Sequence, residues 1–134
     1  MVFNIRKSAT LPILIMEVIK DGRLDYEKLQ SYLTSSSITF SMKDSRTNIY
    51  KVVNAPGNIY MKDPCVADGA KEYYIGYQFS SEDTDTEGIY IGQFKLNVFD
   101  ETNAQIGELI APIKEDLFIY ITETFVKSDI INYI

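Results

Sequence analysis

Histidine and tryptophan are both missing from this 134-residue chain, and cysteine occurs once. Without histidine there is no Ser-His-Asp or Cys-His nucleophilic system, and the commonest general base and metal ligand are gone. A lone cysteine, Cys65, allows neither an internal disulfide nor a cysteine-based zinc cluster. Asp63 and Asp68 lie close to it in sequence and only Lys62 is a positive neighbour. That setting disfavours a thiolate, so Cys65 is expected to act as a small buried hydrophobe.

Glycine is also scarce, with seven residues, and no G-x-G-x-x-G or Walker-type segment can cradle a phosphate. Positive charge is thin: thirteen Lys and Arg are scattered among nineteen Asp and Glu, and the net charge is −6. No three basic residues are consecutive. Nucleic acid and anionic membrane surfaces both need clustered cations, so neither is an expected partner. No stretch reaches the roughly 18 apolar residues that cross a bilayer. Arg6 and Lys7 precede an apolar run, Leu11 to Ile19, in the manner of a secretory leader. That run holds Pro12 and Glu17, continues into Lys20-Asp21-Gly22 and has no small-residue cleavage site, so it reads as a strand of the mature fold.

What the chain has in quantity is Tyr (ten), Phe (seven) and Ile, residues that suit a pleated, half-buried surface. Val2 to Ile5 and Thr10 to Ile19 read as a first strand broken at residues 6–9, a break that would let the chain switch between two sheets. Asp21-Gly22 marks a turn. Tyr26, Leu29 and Leu33 then follow helical spacing, with Asp25 as N-cap, predicting one short α-helix at about residues 25–34. From Ile38 the period becomes two. Ile38, Phe40 and Met42 share a face, and Ile49 to Val53 forms the next strand. Asn54 to Asn58 reads as a turn, followed by a short apolar piece, Ile59 to Met61. In Glu72 to Phe79, residues Tyr73, Ile75, Tyr77 and Phe79 share a face. In Gly88 to Phe99, Tyr90, Gly92, Phe94, Leu96 and Val98 do the same. Asn103 to Gly107 reads as a turn, and Leu117 to Thr122 as the last strand. About seven strands with close turn signals and one short helix predict an all-β, antiparallel β-sandwich. The expected division is a sandwich domain over residues 1–123 and an apolar C-terminal segment over residues 124–134.

That last segment holds Phe125, Val126, Ile130, Ile131, Tyr133 and Ile134, which are the candidate interface residues. They either close the core or form a docking tail that buries itself on a neighbouring subunit. Elsewhere, no pair of carboxylates falls in a recognisable motif for glycoside hydrolysis. Glu82-Asp83-Thr84-Asp85-Thr86-Glu87-Gly88 offers alternating oxygen ligands for calcium but lacks the internal glycine and length of an EF-hand loop. Side chains that hydrogen-bond the local backbone are the simpler account. No catalytic residue, metal or cofactor is expected. Tyrosines could stack on sugar rings, but most fall at alternating strand positions, where a sheet core accounts for them.

Several of these segments share short patterns with one known family. Ile5-Arg6-Lys7-Ser8-Ala9-Thr10-Leu11-Pro12 fits an opening strand of the type l-r-k-g-d-t-x-p. Ile38-Thr39-Phe40-Ser41-Met42-Lys43-Asp44 fits v-t-F-x-M-k-D. A Tyr-rich strand through Tyr77 and the loop Asp83 to Thr86 lead to Gly88-Ile89-Tyr90-Ile91-Gly92-Gln93-Phe94, which fits G-x-Y-x-g-x-F. Ile110 to Ile121, with Pro112 near its start, matches the closing strand. The chain thus resembles the N-terminal immunoglobulin-like domain of tailed-phage upper baseplate proteins. It departs from that pattern at Ser8-Ala9, where Gly-Asp is usual, and in the helix predicted where the family has a short turn. The resemblance implies an immunoglobulin-like sandwich serving as a non-enzymatic structural adaptor of a phage virion, in baseplate, tail or neck. Its implied partners are other virion proteins, met in several copies around a symmetry axis after assembly in the host cytoplasm. With the chain ending at residue 134, those partners are expected to be separate chains. A carbohydrate- or surface-binding sandwich module is the alternative.

Overall fold

The computed structural model describes residues 1–17, 36–62, 72–99, 102, 104–112 and 115–123. Nine strands follow in order: β1 (Val2–Arg6), β2 (Leu14–Glu17), β3 (Ser37–Asp44), β4 (Tyr50–Pro56), β5 (Asn58–Lys62), β6 (Glu72–Tyr77), β7 (Gly88–Phe99), β8 (Gln105–Ala111) and β9 (Leu117–Thr122). No helix occurs among the described residues, and the one expected at about residues 25–34 lies outside them. The fold is all-β.

The strands form two sheets. The larger runs β1-β9-β7-β3-β4, with β8 also paired to β7, and the smaller runs β2-β6-β5. The break after Arg6 has the expected effect: β1 belongs to the larger sheet and β2 to the smaller. The expectation of purely antiparallel sheets needs correcting, because β1 lies parallel to β9, with Val2 opposite Phe118 and Ile5 opposite Ile121. A parallel neighbour needs a long crossover rather than a hairpin, and here most of the chain separates the two strands.

Two turn expectations also give way. β4 runs on through Asn54 and Pro56 instead of turning there, leaving only Gly57 before β5. Asn54 takes a left-handed φ of 50°, and its N–H donates to Ser41 Oγ at 2.9 Å. The turn-forming residues therefore build a bulge in an edge strand. Gly57 passes the chain from one sheet to the other so closely that a Cβ there would sit 2.9 Å from Ile38 Cγ2. At the other site, Gln105 opens β8 within the segment read as a turn. β8 and β9 occupy one edge of β7 in succession: Ala111 pairs with Phe94 and Leu117 with Gly92. Only Gln93 separates those two pairings, and with the first strand divided into β1 and β2 and β8 added, the expected seven strands become nine.

Inward-facing residues of both sheets share one core. Ile38, Phe40 and Met42 of β3, Tyr90, Phe94 and Leu96 of β7, and Leu117, Ile119 and Ile121 of β9 meet Leu14 and Met16 of β2 and Ile75 and Tyr77 of β6. Phe40 stands at the centre. Its ring stacks on Tyr77 at 4.7 Å, meets Phe79 edge-on at 5.6 Å and lies 5.0 Å from Phe94. Such pairs add about 0.5–1.5 kcal/mol each beyond burial, and they lock the two sheets face to face through a single residue.

Candidate docking surface

Strand alternation that buries one face of the larger sheet exposes the other, and that outer face is divided. Toward one end its residues are mostly polar, with the exposed Ile110 beside Lys95. Ser37 pairs with Asn97, which pairs with Glu108; Thr39 pairs with Lys95; Ser41 pairs with Gln93. Toward the other end they are mostly apolar, with Lys43 among them. A single row crosses five strands, with Val2 opposite Phe118, Phe118 opposite Ile91, Ile91 opposite Lys43 and Lys43 opposite Tyr50. Beside it Ile89 pairs with Tyr120. Val2, Ile89 and Tyr50 are 52%, 46% and 58% exposed. Ile91, Phe118 and Tyr120 are half-buried by their neighbours.

The row has relief. A depression of about 70 Å³ opens between Ser41, Lys43, Tyr50, Ile91 and Gln93. A wider groove of about 340 Å³ runs beside β1, lined by Asn4, Arg6, Leu11, Pro12 and Thr122. Grouped apolar residues on an exposed sheet face mark a contact surface, whereas single ones need no explanation.

Strand edges are less inviting. β4 closes one side of the larger sheet, and its pairing with β3 shifts register on both sides of Met42. It also carries Lys51 and ends in Pro56. Bulges, a lysine and a proline are devices that blunt an edge against strand addition.

The acidic loop is held by its own side chains. Tyr77 Oη donates to Asp83 Oδ2 at 2.6 Å, and the Ser80 N–H donates to the same oxygen at 2.9 Å. Lys51 Nζ donates to Asp85 Oδ1, and so does Thr86 Oγ1 at 2.9 Å. Those bonds hold the Asp85 carboxyl below its ordinary range and raise the Lys51 ammonium. The buried Thr84 hydroxyl donates to the Ala9 carbonyl at 2.9 Å, and the Ser8 N–H donates to the Thr84 carbonyl at 2.8 Å. The loop thus clips the crossover between β1 and β2. Among the described residues no three Asp, Glu or Cys side chains converge.

The chain matches no protein-family model, no curated protein and no solved structure.

Phe125, Val126, Ile130, Ile131, Tyr133 and Ile134 lie outside the described residues, as does Cys65. Among the described tyrosines, Tyr77 and Tyr90 are buried, Tyr60, Tyr74 and Tyr120 are half-buried, and Tyr50 is exposed. The outer-face row escapes a reading of the sequence because it needs register as well as periodicity. Its residues come from five segments, and only pairing aligns them. One signal was available: Ile89 and Ile91 are apolar at positions where an alternating strand calls for polar residues.

Proposed function

We propose that this chain is an immunoglobulin-like β-sandwich that serves as a non-enzymatic structural adaptor of a tailed-phage virion, working by protein–protein docking. The strand order supports the fold in this reading, and the virion role rests on the sequence resemblance. In immunoglobulin domains strands A, B, E and D form one sheet, and C, F and G the other, extended by C′ in the variable type. Here β2-β6-β5 takes the places of B-E-D, and β9-β7-β3-β4 the places of G-F-C-C′. β1 then corresponds to an A strand that has moved beside G.

Details at matching positions support it. Those domains carry a tyrosine near the start of F whose hydroxyl bonds the backbone a few residues upstream. Tyr90 Oη donates to the Thr86 carbonyl at 2.9 Å, from the third residue of β7. Two residues later, where antibody domains hold a cysteine, stands Gly92, and a Cβ there would lie 2.9 Å from Phe40 Cζ. Phe40 on β3 holds the place of their strand-C tryptophan, so its ring fills the volume of the missing disulfide. Ser8 adopts a left-handed φ of 64° where the baseplate pattern has glycine. The expected partners are other virion proteins in repeated copies, with the apolar row as the contact surface and no nucleic acid, membrane or cofactor involved.

Purified particles from a lysate of the phage-bearing host test this by quantitative mass spectrometry. The chain should be present in a fixed, multiple ratio to the portal and tail proteins. Its absence from particles, together with glycan binding by the isolated protein, would replace the virion reading with the carbohydrate-binding one.

A further inference from the structure

We infer that two copies of this chain pair through the free edge of β1, antiparallel about a two-fold axis at Asn4, so that their larger sheets join edge to edge. The contact is separate from the virion role and from the outer-face row.

β1 is an outermost strand of the larger sheet, with β9 on one side. That pairing decides which backbone groups point the other way. The Phe118 N–H donates to the Met1 carbonyl, and the Lys7 N–H donates to the Thr122 carbonyl. Alternate residues of a parallel ladder face the partner, so Phe3 and Ile5 turn their backbone groups to β9, and Val2, Asn4 and Arg6 turn theirs outward. Among the described residues only one of these outward groups is engaged: the Arg6 carbonyl accepts from the Ala9 N–H at 3.1 Å. The proline and register shifts that blunt β4 are missing here, because residues 2–6 pair without interruption.

The edge fits a second copy of itself because its two ends are complementary. At one end the exposed Arg6 stands beside Leu11, which is 61% exposed in the wall of the 340 Å³ groove. At the other end Val2 is half exposed, and the exposed carboxylates Glu115 and Asp116 lie beyond it, Glu115 being 3.3 Å from the Met1 amino group. Turning a second copy about Asn4 sets each Arg6 opposite the other copy's Val2. Val2 then meets Leu11 across the edge, and Arg6 meets the carboxylate end. Asn4 opposite Asn4 exchanges a pair of N–H···O bonds, and each Arg6 N–H donates to the other copy's Val2 carbonyl, adding a second pair. A parallel copy in register would set Arg6 beside Arg6 instead.

Analytical ultracentrifugation of the full chain, at up to about 1 mM, tests the pairing. Wild type should reach a dimer and stop there, because an isologous contact closes on itself. Asn4→Pro removes an outward N–H and leaves the ladder to β9 whole, so it should weaken the dimer more than about tenfold. Arg6→Glu and Glu115→Arg each act at both symmetric contacts and should each weaken self-association about tenfold. An equimolar mixture of those two variants should form a heterodimer within about threefold of the wild-type affinity, since every contact across the edge is again between unlike charges. Arg6 and Glu115 stand at opposite ends of β1 in one chain, so no contact within a monomer produces that rescue. The charge variants decide the matter if Asn4→Pro does not fold. Ile110→Glu, exposed on β8, should associate like wild type. A wild type that stays monomeric at every concentration, or grows beyond a dimer, overturns the inference. So does a folded Asn4→Pro that dimerises like wild type, or a pair of charge variants that fail to rescue each other.

Discussion

Replacing Gly92 by Ala adds one methyl group at the most crowded point of the core. The new Cβ would stand 2.5 Å from Ile119 Cδ1 and 2.9 and 3.0 Å from Phe40 Cζ and Cε1. Ile119 Cδ1 ends a flexible side chain and can turn aside. The Phe40 ring cannot, because Tyr77, Phe79 and Phe94 hold it on three sides. Overpacking of this kind costs about 1–3 kcal/mol, and the gain from replacing glycine within a strand returns about 0.5–1 kcal/mol. A net loss of about 1–2 kcal/mol is expected, which moves the urea midpoint down by about 1 M at slopes of roughly 1–3 kcal/mol per M. Ile119→Val removes the nearest atom. Alone it should cost about 0.5–1.5 kcal/mol, but in the Gly92→Ala background it should cost close to nothing. The double-mutant cycle should therefore show a favourable coupling of at least about 0.5 kcal/mol. A Gly92→Ala protein as stable as wild type, or strictly additive effects, would refute the close packing of β7 on Phe40.

Other perturbations address the loop and the crossover. Tyr77→Phe deletes the hydroxyl that donates to Asp83; a bond to a charged acceptor makes the expected loss about 1.5–3 kcal/mol, read by chemical denaturation. Thr84→Val keeps the shape but leaves the Ala9 carbonyl without its donor, and should cost about 1–3 kcal/mol by the same measurement. Ser8→Gly should leave stability unchanged or raise it by up to about 1 kcal/mol in a thermal melt, since glycine takes a left-handed φ without a Cβ clash. Burial raises Tyr77 and Tyr90 above the ordinary phenol value of 10.0. Their stabilising share is therefore complete below pH 10, and is lost above it as the unfolded chain ionises first. A pH series of denaturation midpoints should fall above pH 10, less steeply in a Tyr77→Phe/Tyr90→Phe variant.

Much of this architecture is written in local periodicity. Ile38, Phe40 and Met42, the alternate residues from Tyr90 to Val98, and Leu117, Ile119 and Ile121 all face the core, because period-two alternation is a direct signature of a half-buried strand. The interruption after Arg6 likewise announces a change of sheet. Partnership between distant segments is a different matter. That β1 lies parallel to β9, and that β8 and β9 share one edge of β7, depends on contacts spanning most of the chain. Asn54-Ala-Pro-Gly carries the same residues whether it turns or bulges, and the choice is made by Ser41 across the strand. The acidic loop was legible for the converse reason. Its Asp and Thr groups engage neighbours in sequence, apart from Lys51 and the crossover. The outer-face row has no local signature beyond two isoleucines, because alignment across five strands creates it.

The parallel pairing of β1 with β9 sets an order of events for a growing polypeptide. Residues 2–6 are made long before their sheet neighbour, residues 117–122. Until that neighbour emerges the early segment has no lateral partner in the larger sheet, and Ile5 has no adjoining strand to hold it inward. The larger sheet thus zips shut only after every other described strand has been made, a topology that delays folding and extends exposure to wrong partners. Once shut, the first and last strands hold each other, with the Met1 amino group 3.3 Å from Glu115 and the Met1 carbonyl accepting from the Phe118 N–H. A fusion or cleavage just before β1 would therefore be felt at β9.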